Sequence, residues 1–232
     1  MDLLRQRDLV PHSKMANTNF VVIGVGAIGR QVAILLAASG AGNVTIFDND
    51  KVSKENLGVQ GYGPDDLDRY KVHVVSDVMT RLNPDTFVAP EPHAVGKDAY
   101  KIVWQSAYKE RNVVFCCVDS ITAREDIFDR LLVEGFAGNA EGNRPGLFID
   151  GRMAAETLRV VTWPTSEQPE RYQSTLFPSG ESFKAPCTGR TTLYSSYVVA
   201  GLMMGECVKW LRDELPTTDQ TFNLRASEHW CH

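Results

Sequence analysis

The chain has 232 residues, 43% of them apolar and 23% charged. That is ordinary globular composition, long enough for one domain with a sizeable buried core, and it excludes a disordered or fibrous chain. A formal net charge of -5, with no basic run, argues against nucleic acid as a partner.

The opening MDLLRQRDLVPHSK is too charged for a signal peptide, and no apolar stretch approaches the length of a membrane span. The expectation is a soluble cytoplasmic protein with no membrane partner. Five cysteines, an odd number without C-x-x-C spacing, argue against a disulfide framework and against a tetrathiolate zinc site.

Residues 2–13 are amphipathic enough for a short helix, in which Arg5 and Arg7 read on their own as solvated surface. Residues 20–24, FVVIG, form a short apolar run rich in β-branched side chains, the mark of a strand buried on both faces of a parallel sheet. Gly24, Gly26 and Gly29 then spell G-x-G-x-x-G. The first glycine permits a tight turn, the second a close approach of backbone to phosphate, and the third close packing of helix on strand. Residues 28–38 are helical in composition and stop at Ser39-Gly40. Residues 44–47 make the next strand, with Asp48 at its carboxyl end, where an acid accepts hydrogen bonds from ribose hydroxyls. Strand, glycine turn, helix, strand and acid in this order predict a nucleotide-binding βαβ unit.

Residues 49–64 are polar and lack periodicity, and a loop of this length inside a domain is usually functional. A helix over 66–82, stopped by Asn83-Pro84, carries Lys71. Residues 86–89 read as a strand, 93–108 as a loop and helix, and 113–118 as a further apolar strand ending in Asp119. Cys116 and Cys117 inside that strand read as small core residues. A helix over 120–133 holds Arg124, a surface connection follows at 136–145, and strands are predicted at 147–150 and 156–163, the second in an antiparallel part of the sheet. Residues 164–190 form a proline-rich crossover loop carrying Cys187, ahead of a helix over 191–211 that is apolar nearly all round and so buried, against the sheet or a second subunit. Residues 221–224 suggest a last strand, and 227–232 a tail whose His229, Cys231 and His232 are incidental rather than a metal site.

The polar residues thus gather at strand ends, where ligands bind in open α/β sheets. A lysine at 71 suits a triphosphate better than a dinucleotide, and a strand-end Asp119 suits magnesium, which binds through one or two carboxylates together with substrate phosphates. The pattern resembles the ThiF/MoeB superfamily, the fold shared with ubiquitin-activating enzymes. The resemblance rests on GVGAIG at 24–29, DNDKV at 48–52, NLGVQ at 56–60, Lys71, CVD at 117–119 followed by Arg124, Arg5-Gln6 before the first strand, and PCTGR at 186–190 before the long helix.

The resemblance covers most of the chain and implies a single adenylation domain over 1–232, with an amino-terminal arm at 1–18. Its fold would be a Rossmann-like α/β architecture: a mostly parallel sheet, helices on both faces and an antiparallel carboxyl-terminal portion. The implied activity is ATP-dependent adenylation of the carboxyl-terminal glycine of a small β-grasp protein, ubiquitin-like or sulfur-carrier, by a homodimer. The implied nucleotide contacts are Gly24, Gly26, Ala27, Ile28, Gly29, Asp48, Asp50, Asn56, Gln60 and Lys71. Asp119 would hold magnesium, Arg5 would reach the site of the other subunit, and Cys187 would accept the activated carboxyl group or pass sulfur. The implied cofactors are ATP and magnesium, and no zinc is expected.

The chain departs from the family pattern at Val59, which stands where the N-L-x-R-Q segment has arginine. One phosphate-facing cation is missing there unless Arg5, Arg7 or Arg124 replaces it. Two other readings compete: a nicotinamide-dependent oxidoreductase, resting on the stretch from Gly24 to Asp48 alone, and a catalytically silent nucleotide-binding module, motivated by Val59.

Overall fold

Six consecutive buried residues, Thr18–Ile23, make the strand β1 at the centre of the parallel part of the sheet, and their alternation divides the core in two. In this computed structural model, which describes residues 3–95, 111–130, 146–176 and 192–232, Phe20 and Val22 pack into one apolar cluster and Val21 and Ile23 into another.

Following β1, the elements are α2 (Ala27–Ala38), β2 (Asn43–Phe47), α3 (Lys71–Leu82), β3 (Phe87–Glu91), β4 (Arg111–Cys116), α4 (Ile121–Phe128), β5 (Gly146–Ala154) and β6 (Thr157–Pro164). Then come the short α5 (Glu170–Gln173), the long α6 (Leu193–Leu211), and the strands β7 (Asp219–Asn223) and β8 (Glu228–Cys231). A 3-10 turn at Leu4–Gln6 and α1 (His12–Asn17) precede β1.

The sheet order is β3-β2-β1-β4-β5-β6-β7-β8. The pairings β3·β2, β2·β1, β1·β4 and β4·β5 are parallel, and those from β5 to β8 antiparallel. Helices α2, α3 and α6 cover one face, while α4 and α5 cover the other, where Phe128, Phe148, Trp163 and Tyr172 stack edge to face or tilted. The predicted α/β sheet with an antiparallel carboxyl-terminal portion is therefore the observed one. Its register is pinned at the end opposite the glycine turn by an asparagine ladder: Asn43 Nδ2 donates to Asn19 Oδ1 at 2.9 Å, and Asn19 Nδ2 to Asn112 Oδ1 at 3.2 Å.

Several boundaries move for physical reasons. The predicted helix over 2–13 is a 3-10 turn and then α1, because Pro11 disfavours helix in the residue before it and can itself only precede or start one. The helix predicted from 66 begins at Lys71, since Asp68 takes a left-handed φ of 63° that no helix continues through. Helix α2 ends as expected at Gly40, where Ala41 N–H bonds to Leu36 O and Gly40 N–H to Ala37 O.

The tail predicted at 227–232 is instead β8, folded back on β7 through a turn at Ser227 (φ 56°), with the His229 ring stacked on Phe222 at 3.9 Å. Helix α6 buries Val199, Ala200, Met203 and Cys207 against the rest of the chain, and its Tyr194, Tyr197 and Val198 are exposed in the single chain. Within the predicted crossover loop at 164–190, α5 anchors the chain through the buried Tyr172. The predicted helix within 93–108 and the connection at 136–145 lie largely or wholly outside the described residues, as does Cys187.

Candidate functional site

The carboxyl ends of β1, β2 and β4 are held in line beyond the strands themselves. Gly24 N–H donates to Phe47 O and Cys117 N–H to Ile23 O, each at 2.8 Å. The chain steps outward from β1 through α2 to β2, whereas β4 lies on the other side of β1. That reversal of direction opens a crevice at the strand ends.

Gly24 adopts a φ of +83°, favourable only without a side chain. A Cβ on Gly29 would lie 1.8 Å from Gly24 O, so α2 can sit against the turn only because position 29 is glycine. At Gly26 the space is open enough that an added Cβ would meet nothing closer than Gln60 Oε1, at 3.7 Å. The two close-packed glycines shape the turn and the third leaves its outer surface free, with Ala27 and Ile28 starting the helix above it.

Asp48 joins this turn to β2. Its Oδ2 accepts from Val25 N–H and its Oδ1 from Asp50 N–H, both at 2.8 Å. Burial raises its carboxyl pKa above the ordinary value, against the opposing pull of the Asp50 amide, the Lys71 charge and the Val25 amide. Lys71, the first residue of α3, is only 4% exposed, and its Nζ donates to Asp50 Oδ2 at 2.9 Å while its backbone N–H bonds to Asp50 O. A buried ammonium with one carboxylate partner retains donors for an anionic guest.

The loop from 49 to 70 folds onto the glycine turn. Asn56 Oδ1 accepts from the N–H and hydroxyl of Ser53, which closes a short turn and leaves the Asn56 amide NH2 without a partner among the described residues. The buried Tyr62 hydroxyl donates to Val25 O at 2.6 Å, and burial raises its pKa. Val59 stands exposed on this loop.

Asp119, exposed at the end of β4, makes no hydrogen bond or ion pair among the described residues. Its backbone is nevertheless fixed from below. Arg124 on α4 donates through Nη2 to Val118 O and to Gly151 O, and through Nε to Asp150 Oδ1 at 2.8 Å. Asp150 is fully buried and also accepts from Arg152 Nε at 2.7 Å and from the Tyr172 hydroxyl at 2.9 Å. Burial alone would raise the Asp150 carboxyl, but the charges of Arg124 and Arg152 hold it below the ordinary value. Arg124 is thus committed to this network and cannot serve as the missing phosphate cation.

Cys116, adjacent to the network, is a core residue whose thiol is pushed up to about 12 by burial, whereas Cys117, just past the end of β4, is half-buried, its thiol likewise raised. Among the described residues no three metal-ligating side chains lie together. Magnesium does not need such a cluster, and a lone open carboxylate at this edge of the sheet fits it.

Arg5 lies exposed on the turn before α1, and the neighbouring Gln6 Nε2 reaches Ala38 O at the far end of α2. The length of that helix, about 17 Å, separates it from the glycine turn of its own chain, and Arg7 shares this arm. The site residues brought together are Gly24 to Gly29, Asp48, Asp50, Asn56, Gln60, Lys71 and Asp119. Four residues of the neighbourhood went unrecognised in the sequence: Arg30, Gln31, Tyr62 and Asp150. For Asp150 a signal existed, since an acid inside the apolar run LFID requires partners.

The sequence profile of the ThiF family matches residues 8–229. The sulfur carrier protein ThiS adenylyltransferase of Escherichia coli (strain K12) is 26% identical over 162 residues, which cover 68% of this chain and 63% of the relative. The molybdopterin-synthase adenylyltransferase of the same organism is 29% identical over 126 residues, 54% of this chain and 49% of the relative. The chain therefore spans less than two thirds of the length of these relatives. Crystal structures of PaaA and of E. coli MccB with ATP superpose with TM-scores of 0.70 and 0.68 at 16% and 18% identity, each over 95% of this chain and 65% of the other. At that identity the likeness establishes the fold.

Proposed function

The chain belongs to the ThiF family, and we propose that it is an ATP-dependent adenylyltransferase that activates the carboxyl-terminal glycine of a small β-grasp protein, ubiquitin-like or sulfur-carrier in type. The observation that carries this reading is the convergence, on one sheet edge, of an open glycine turn, Asp48, the buried Lys71 paired with Asp50, and Asp119, unpartnered among the described residues. The relatives named as adenylyltransferases of ThiS and of molybdopterin synthase support it.

In this reading a carboxylate oxygen of the carrier bonds to the α-phosphorus of ATP while the bond to pyrophosphate breaks. The product is an acyl-adenylate. No protein nucleophile is required; positioning and neutralisation of charge on the phosphates do most of the work. Asp48 accepts from the ribose, the backbone N–H groups at Gly26 to Gly29 face the phosphates, and Asn56, Gln60 and Lys71 line the path between them. Asp119 would hold magnesium, which supplies charge neutralisation at the phosphate oxygens. Arg5, being remote from the site of its own chain, acts in a homodimer at the site of the partner. The Cys187 thiolate accepts the activated carboxyl group as a thioester, the acyl–phosphate bond breaking and AMP leaving, or takes part in sulfur transfer. The setting is cytoplasmic.

ATP–pyrophosphate exchange tests the reading. Exchange stimulated by the carrier is expected, with loss in Asp119→Ala and in Arg5→Ala. Exchange indifferent to both substitutions would remove the mechanism, and nicotinamide-dinucleotide binding without any response to ATP and magnesium would favour an oxidoreductase. For Cys187, the deciding result is a thiol-sensitive covalent adduct with the carrier that Cys187→Ala abolishes.

A further inference from the structure

Arg30 stands one helical turn into α2, three residues after Ala27, so it shares a helix face with the start of the glycine turn. Its guanidinium lies over the ring of Tyr62, 5.4 Å from the centroid, and Tyr62 is tied to the turn through Val25 O. A Cβ placed on Gly61 would be 2.9 Å from Arg30 Nη1 and 3.2 Å from Gln31 Nε2. Position 61 is glycine, and these two side chains lie close against its backbone. That backbone is two residues from Val59.

Polar atoms without partners concentrate here. Arg30 Nε is buried and makes no hydrogen bond among the described residues; the same holds for both amide atoms of Gln31, which is 1% exposed, and for Gln60 Oε1, which faces Gly26. Two of these atoms, Arg30 Nε and Gln31 Nε2, are donors; leaving them in this condition is costly, and oxygen-rich anions satisfy guanidinium and amide donors best. Carboxylates do not fill the place: no ion pair is formed by Arg30 among the described residues, whereas Arg124 and Arg152 are both held by Asp150.

We propose that Arg30 is the cation that contacts the outer phosphates of the bound nucleotide, presented from helix α2 in place of the arginine that the family pattern carries at the position of Val59. The stacking on Tyr62 holds the guanidinium ready at the loop, and Gln31 adds a neutral donor beside it. This inference rests on the ATP reading of the site. It makes the chain competent for phosphate neutralisation without an arginine in the loop, which counts against the silent-module reading drawn from Val59.

The test is binding of ATP and of AMP, each with magnesium, by calorimetric titration of the full chain. Arg30→Gln is expected to weaken ATP by about 10- to 100-fold, the loss of a charge-assisted contact, and to leave AMP within about twofold. The added substitution Val59→Arg is expected to restore most of the loss. Equal weakening of ATP and AMP would mean that Arg30 only shapes the loop, and ATP affinity within about twofold of the wild type would remove its role; either overturns the proposal. Should Arg30→Gln not fold, Val59→Arg in the otherwise unaltered chain decides. A gain in ATP affinity below about twofold is expected if Arg30 already fills the place, and a gain of about tenfold or more would show the place vacant. Failure of the wild-type chain to bind ATP would instead overturn the underlying reading itself.

Discussion

Replacing Asp150 by asparagine isolates the network beneath the site. The carboxylate is fully buried and accepts from Arg124 Nε, Arg152 Nε and the Tyr172 hydroxyl at 2.8, 2.7 and 2.9 Å. Asparagine keeps one acceptor oxygen and no charge, so the buried Arg124 loses its counter-ion. Breaking such a pair costs about 3–5 kcal/mol, a large part of the roughly 5–15 kcal/mol that stabilises a typical domain. Urea denaturation followed by circular dichroism measures this as a lower midpoint. Asp150→Leu combined with Arg124→Met should cost less than the two single losses summed, because Arg124, the more deeply buried of the two arginines on Asp150, is then not left without its counter-ion.

Acid adds a second readout. The folded Asp150 pKa lies below its ordinary value of 3.8, so the stabilisation is complete above that value and is lost as pH falls below it, through the folded pKa. The wild-type chain should therefore lose stability in that acidic window and Asp150→Asn should lack this component. Asp150→Asn within about 1 kcal/mol of wild type, or a double variant no better than the summed singles, would refute the view that the network is held by charge.

Gly29→Ala should destabilise by about 3 kcal/mol and abolish ATP binding, because its Cβ would fall 1.8 Å from Gly24 O; denaturation and titration read both effects. Lys71→Met, which keeps the aliphatic stem of the buried lysine, should lower ATP–pyrophosphate exchange by about 100-fold while stability changes far less. Since burial raises the Asp48 carboxyl pKa, ATP affinity should begin to fall on acidification at a higher pH than an ordinary aspartate would cause, and Asp48→Asn should lack that limb in a pH-dependent titration. If Arg5 works at the site of the second subunit, unfolding and refolding Arg5→Ala and Asp119→Ala chains together should return up to about a quarter of wild-type exchange, from the one intact site in each mixed dimer. Neither variant regains activity alone.

How much of this was legible depends on the range over which each feature is decided. Residues 18–23 are buried on both faces because they are continuously apolar, and the glycines at 24 and 29 act through the backbone, so a local pattern suffices. The placing of Asp48, Lys71 and Asp119 along one edge of the sheet was readable for a related reason: topology places strand ends together whatever the side chains do. The tail was misread because the pairing of β8 with β7 depends on a turn at Ser227 and on stacking of His229 over Phe222, neither of which leaves a periodic trace in six residues. The arginines show the limit most clearly. Arg5, Arg7 and Arg124 all qualified from sequence as the missing phosphate cation. Arg124 is withdrawn by a carboxylate 26 residues away, and Arg30, which no motif marked, became a candidate because no carboxylate of the described residues folds against it. An arginine becomes a ligand-binding group only when its own protein leaves it unanswered, and that is settled by long-range packing rather than by the residues beside it.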